Sequence, residues 1–271
     1  MFRVGYYQFC PLFGQVELNL QRVVAALCVA DADLIVLPEL AFTGYCFRNR
    51  DELGTLAEDP LTSPTIEALV ELCRAREFHL VTGFAERHDD KCFNSALLLG
   101  PRGILHTYRK LHLFGTEKDC FDQGDLPLEV SSVHGVKIGM MVCFDWIFPE
   151  VARLLTLRGA DLICHPANLV LTFCQQAMTI RCIENLIFAV TANRRGTETR
   201  SHTELTFTGQ SQIVAPRGAV LHRAPTDCDE LYVVGIDVAQ ARDKHLTDRN
   251  DILADRRPGY YRELCERRPA S

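Results

Sequence analysis

Apolar and polar positions along this chain follow two periods. Short apolar or alternating runs read as strands, and stretches with a repeat near 3.6 read as helices. Phe2 to Phe9 is β-rich and precedes an amphipathic stretch from Val16 to Ala30. Asp33-Leu34-Ile35-Val36-Leu37 is an apolar run that ends at Pro38-Glu39. Ser63 and Pro64 have the chemistry of an N-cap and a first helical position, which predicts a helix to about Glu77. Strands are predicted at 79–85, 93–100 and 103–108, the last two joined as a hairpin by Gly100-Pro101-Arg102-Gly103.

The second half repeats the style. Val136 to Val142 and Ala160 to Cys164 read as buried strands, with a helix from Phe148 to Arg158 between them. A helix from Cys174 to Asn185 leads into a strand at Ile187 to Ala192. Strands follow at 205–214, 219–223 and 231–237, with Pro216-Arg217-Gly218 as a turn. Helices interleaved with apolar strands predict an α/β layered domain, and the hairpins make its sheet mixed rather than purely parallel. No linker, low-complexity tract or solenoid repeat interrupts the pattern. One domain over 1–271 is therefore expected, with the polar segment 238–271 packing on the body or on a partner subunit.

Composition narrows the class. The chain has 271 residues, 47% of them apolar, enough for a sizeable core. A net charge of −6 argues against a nucleic-acid partner, and the basic runs Arg256-Arg257 and Arg267-Arg268 are mixed with acids. The start lacks the pattern of a secretory leader, and no apolar stretch has the length of a membrane span, so a cytoplasmic protein is expected. Twelve cysteines without a Cys-x-x-Cys pair suit neither a disulfide scaffold nor a zinc knuckle. Cys10, Cys28, Cys73, Cys164 and Cys182 lie in apolar segments and read as small core residues.

Three residues resist so bland a reading. Glu39 ends a buried strand, where an unpaired carboxylate is costly and where the active sites of α/β sheets gather. Lys110, in Tyr108-Arg109-Lys110-Leu111-His112-Leu113-Phe114, closes a hairpin strand; alone it reads as a surface lysine, and His112 as a core or orienting histidine. Cys143 sits where Gly139-Met140-Met141-Val142 passes through a tight connection toward a helix. That setting exposes a nucleophile to free backbone N–H groups, and a nearby lysine should make the thiol easier to ionise. A thiol, a base that takes its proton and a cation that holds negative charge form a unit for cleaving carbon–nitrogen bonds. Histidine is the usual base, but His79, His88, His106, His134, His202, His222 and His245 give no sign of convergence on Cys143. No Gly-x-Ser-x-Gly elbow and no His-Glu-x-x-His motif is present.

With these residues in place, the sequence resembles the nitrilase superfamily, the carbon–nitrogen hydrolases. Leu37-Pro38-Glu39, Tyr108 to Phe114 and Cys143-Phe144-Asp145-Trp146-Ile147-Phe148-Pro149-Glu150 are similar to its three signatures, in its order. His165-Pro166-Ala167-Asn168, Arg181 to Asn185, Thr191 to Arg194, Gly209-Gln210-Ser211 and Asn250-Asp251-Ile252 extend the match. The resemblance implies a four-layer α-β-β-α sandwich, a homodimer or higher homo-oligomer, and no cofactor or metal. It also implies a second glutamate, Glu117, in Gly115-Thr116-Glu117-Lys118; Gln123 replaces the proline common before the following glycine. The catalytic set it implies is Glu39, Lys110, Cys143 and Glu117.

The implied reaction is hydrolysis of a small amide through a thioester with release of ammonia. Its alternatives are a nitrilase, an N-carbamoyl hydrolase, or an idle scaffold that keeps the fold. In such relatives the residues after the nucleophile line the pocket, and Phe144, Trp146, Asn168, Tyr45 and Phe173 are the substrate-binding candidates. Where relatives acting on acids often place arginine, this chain has Phe144 to Ile147. That favours a small neutral or weakly cationic substrate, unless an arginine such as Arg194 or Arg195 reaches in. Cys143-Phe144-Asp145 looks more like the amidase branch than the Cys-Trp-Glu of many nitrilases.

Overall fold

A computed structural model describes residues 1–200 and 203–266. His202, Arg267 and Arg268 lie outside the described residues. Two six-stranded sheets form the centre. In the first, the order is Glu230–Ile236, Phe2–Gln8, Leu34–Val36, His79–His88, Lys91–Gly100 and Gly103–Arg109. In the second, it is Val220–Arg223, Gln212–Val214, Phe188–Asn193, Leu162–Ala167, Val136–Met140 and Val130–Val133. Each sheet has three parallel strands at its heart, flanked by one antiparallel strand on one side and two on the other. The two sheets thus share one pairing pattern, which the sequence did not reveal.

The core explains the layers. Val4, Tyr6, Leu34, Val36 and Leu98 of the first sheet join Ile138, Met140, Leu162, Cys164 and Val190 of the second in one buried cluster. Alternate residues of the first sheet, such as Ile35, Leu80 and Leu97, pack instead with Val23 and Leu27 of helix Val16–Leu27 and Ile66 and Leu69 of helix Pro64–Arg76. Strands covered on both faces are apolar throughout, as the runs in the sequence suggested. Helices Pro149–Leu157 and Cys174–Asn185 contribute Val151, Ala152, Leu155, Met178 and Cys182 to the cluster beneath the second sheet. The result is the four-layer α-β-β-α sandwich.

Several boundaries differ from expectation. The expected single strand at 205–214 is two strands, Thr203–Thr208 and Gln212–Val214, because the first leaves the sheet to pair with Arg195–Arg200 in a separate hairpin. The pattern at 195–200 alternates charged and small residues and gave no apolar signal. Cys28 is exposed at the end of its helix rather than buried, and Cys10 is half-buried. Among the described residues no helix is long and apolar enough to cross a membrane.

The carboxyl ends of the parallel strands carry the chemistry-bearing loops: Glu39 follows Leu34–Val36, Cys143 follows Val136–Met140 and Asn168 follows Leu162–Ala167. The turn at Glu39 lies directly on the neighbouring strand. A Cβ on Gly83 would come within 2.3 Å of the Glu39 Cα and 2.5 Å of the Pro38 carbonyl oxygen. Leu40, just after Glu39, has φ of 47°, a left-handed conformation that only a well-braced turn sustains. Gly83→Ala is therefore expected to destabilise the protein by about 1–3 kcal/mol or more. Thermal denaturation checks this; an unchanged midpoint would show that the turn yields freely.

Candidate active site

Glu39, Lys110 and Glu117 form one buried ionic cluster. Their side chains are almost wholly excluded from solvent. The Lys110 Nζ donates to Glu39 Oε1 at 2.6 Å and lies 2.8 Å from each carboxylate oxygen of Glu117. Asn94, on strand Lys91–Gly100, donates its side-chain amide to Glu39 Oε1 at 2.6 Å. Glu39 Oε2 is buried and has no hydrogen-bond partner among the described residues. Glu117 opens the short helix Glu117–Cys120, where its Oε2 accepts the Phe114 N–H at 3.2 Å. The Tyr45 hydroxyl donates to Glu117 Oε1 at 2.6 Å.

Cys143 joins this cluster from the second sheet. It begins a 3-10 turn, Cys143–Ile147, that precedes helix Pro149–Leu157. Its φ is 41°, uncommon for a residue with a side chain. Two neighbours, His165 and Asp145, hold it there. His165 is buried, and burial lowers its pKa to about 4, so it is neutral. Its Nε2 lies 2.9 Å from the Cys143 carbonyl, which can only accept, so Nε2 carries the proton. Asp145, fully buried, accepts the Val142 N–H at 2.9 Å and the Tyr108 hydroxyl at 2.7 Å through Oδ2. Its Oδ1 takes the His112 N–H at 3.2 Å and faces His112 Nδ1 at 2.7 Å. Asp145 is thus a strut between the Cys143 turn and the segment that bears Lys110. His112 is hydrogen-bonded to Asp145 and partly exposed, so it is not a core histidine.

The charges of this cluster act on one another. Burial works against the Lys110 ammonium, but Glu117, Glu39 and Cys143 outweigh it and its pKa is raised. Burial and the Glu117 charge raise Glu39, with Lys110 pulling the other way. The Cys143 thiol is pushed well above its ordinary value by burial and by the Glu39 charge, against Lys110 and a backbone hydrogen bond from Asn168. The expected easily ionised thiol is therefore corrected. Lysine and turn N–H groups are present, but burial beside a carboxylate dominates.

The other candidates are placed as follows. Asn168 is buried beside Cys143, and both polar atoms of its side chain lack partners among the described residues. Trp146 is buried and meets the half-exposed Phe173 edge-on at 5.4 Å. The Phe144 ring packs against Phe114 and Phe148 and lines a cavity of about 570 Å³ with His112, Leu113 and Lys118. Tyr45 is engaged by Glu117. Arg194 is buried against Glu198, and Arg195 pairs with Asp229, so neither arginine is free for a substrate. Sequence reasoning passed over Asn94 and assigned Asp145 no role. Asn94 had a signal: it is a polar residue inside the apolar run Cys92 to Leu99. Among the described residues, no group of three or more His, Cys, Asp and Glu is placed to hold a metal ion.

Comparison with known proteins places the chain in a family. The family model described as carbon-nitrogen hydrolase matches residues 3–245. A nitrilase from Pyrococcus abyssi is 41% identical over 264 residues, covering 96% of this chain and 99% of that one. An (R)-stereoselective amidase from Pseudomonas sp. is 35% identical over 260 residues, covering 94% and 91%. Among solved structures, an amidase from Nesterenkonia sp., in a mutant with acrylamide added at its active site cysteine, superposes with a TM-score of 0.80. It is 25% identical and covers 97% of this chain and 100% of that one.

The electrostatic account has a direct test. Glu117 raises both Glu39 and Cys143 by repulsion, so Glu117→Gln should move both titrations to lower pH. The thiol is followed by thiolate absorbance, as the difference from Cys143→Ala, and Glu39 by the acidic limb of kcat/KM. Titrations that stay in place would refute the coupling.

Proposed function

The chain belongs to the carbon–nitrogen hydrolase family, and from that premise we propose that it hydrolyses small neutral primary amides through a thioester on Cys143. The observation that carries this reading is Lys110 bridging Glu39 and Glu117 in the buried cluster that Cys143 completes. Glu39 Oε2, with no partner of its own, accepts the proton of the thiol as sulfur attacks the amide carbon. Because the pKa of Glu39 is raised along with that of the thiol, the transfer is less uphill than to an ordinary carboxylate. Lys110 and the Phe144 N–H hold the oxyanion. Glu39 then returns the proton to nitrogen, the carbon–nitrogen bond breaks and ammonia leaves. Glu39 next takes a proton from water, whose oxygen attacks the thioester. The second tetrahedral intermediate expels sulfur, which regains its proton, and the acid departs.

Asn168 favours amide over nitrile. Its amide, without a partner among the described residues, offers an NH2 donor group and a carbonyl acceptor beside Cys143, and a primary carboxamide answers both, whereas a nitrile has no donor. Trp146 and Phe173 supply an apolar wall, and Tyr45 acts through Glu117. With Arg194 and Arg195 paired elsewhere, neither arginine supplies a counter-charge for a substrate carboxylate. The adduct on the active site cysteine of the Nesterenkonia amidase supports the same role for Cys143.

A homodimer fits the exposed Leu154, Leu157, Ile180 and Ile183 on helices Pro149–Leu157 and Cys174–Asn185. The cysteine-rich core fits a reducing cytoplasm. The test is ammonia release from a panel of small amides, nitriles and N-carbamoyl compounds. Short neutral amides should turn over fastest, and Cys143→Ala should lose at least about 1,000-fold in kcat. Near-wild-type turnover by that variant would end the assignment.

A further inference from the structure

The hairpin of Arg195–Arg200 and Thr203–Thr208 contributes no group to the proposed reaction, yet it directs a buried carboxylate at the loop behind the site. Glu198 accepts the backbone N–H of Tyr45 at 3.2 and 3.3 Å through its two oxygens, and the N–H of Cys46 as well. Arg194 braces it, donating to Glu198 Oε2 at 2.7 Å and to the Pro11 carbonyl at 3.1 Å. The Arg194 guanidinium carbon also lies 4.0 Å over the Phe207 ring, and Phe207 meets the Tyr45 ring edge-on at 5.9 Å. Gly44 lets the loop come this close. Its φ is +80°, and a Cβ there would lie 3.1 Å from Glu198 Oε2 and 2.8 Å from the Phe13 Cα. Tyr45 is therefore gripped by backbone and ring, and its hydroxyl is delivered to Glu117.

We propose that Glu198 is a positioning residue for the acid–base cluster, fixing Tyr45 so that its hydroxyl holds Glu117 beside Lys110. A carboxylate needed only to neutralise Arg194 would not have to accept two consecutive backbone N–H groups of this loop. The contact matters because the cluster tolerates little displacement: a shift near 1 Å far from the reacting atoms can cost about 100-fold in rate. The inference rests on the reading of Glu39, Lys110, Glu117 and Cys143 given above.

The decisive variant is Glu198→Asp. It keeps the counter-charge for Arg194 but draws the carboxylate away from the Tyr45 N–H. Glu198→Gln and Tyr45→Phe complete the set, with the Glu198→Asp/Tyr45→Phe double variant. Two readouts are taken: kcat and KM on an amide that the wild type turns over, and the pH dependence of Cys143 alkylation by iodoacetamide, corrected with Cys143→Ala. The second needs no substrate, so it separates failure of this inference from failure of the amidase reading. Glu198→Asp should lose roughly 10- to 100-fold in kcat with KM little changed. Its alkylation profile should move in the same direction as that of Tyr45→Phe. In the double variant the losses should not multiply, because both act through one hydroxyl. A Glu198→Asp enzyme with wild-type kcat and alkylation profile, or losses that multiply, would overturn the proposal and leave Glu198 as a charge partner alone.

Discussion

The structure turns on one buried ionic cluster, Lys110 held between Glu39 and Glu117. Two carboxylates and an ammonium taken from water are strongly unfavourable unless each is paired and hydrogen-bonded. Here the pairing is nearly complete: Asn94 and Lys110 serve Glu39, and Lys110, Tyr45 and the Phe114 N–H serve Glu117. Removing one partner of such a set costs on the order of 3–5 kcal/mol. The residues that satisfy it come from distant parts of the chain, with Glu39 and Lys110 71 residues apart. Only a fold that closes those distances leaves no charge stranded, so the cluster constrains the fold as much as the chemistry.

The same burial sets the chemistry. An isolated thiol beside a lysine and the start of a turn ionises readily. Cys143 has those neighbours, but the low-dielectric setting and the Glu39 carboxylate reverse the effect. In the proposed reaction, sulfur and carboxylate then compete for one proton, which favours attack coupled to proton transfer over a standing thiolate. The backbone contributes to the same arrangement: both Leu40, beside Glu39, and Cys143 lie in the left-handed region. His165 and Asp145 on one side, and the strand at Gly83 on the other, hold those conformations.

Local and non-local information divide clearly in this chain. The apolar runs marked most of the central strands because both faces of each are covered, so nearly every position is apolar. The hairpin at Arg195–Arg200 was missed for the opposite reason: it stands outside the two sheets, and its residues alternate charge without an apolar face. The shared pairing pattern of the two sheets left no trace either, since which strand pairs with which depends on contacts between segments far apart in sequence.

The sequence by itself determined the family signatures, the order in which Glu39, Lys110, Glu117 and Cys143 occur, and the strand ends that carry the first and last of them. These are local properties of residue type and spacing. The tertiary structure alone decided that Asn94 and Tyr45 partner the two glutamates, that Asp145 ties the Cys143 turn to the segment of Lys110, that Arg194 pairs with Glu198, and that the thiol is raised rather than lowered. Each of these depends on which side chains share a buried volume, and burial is a property of the packed molecule that no stretch of sequence contains.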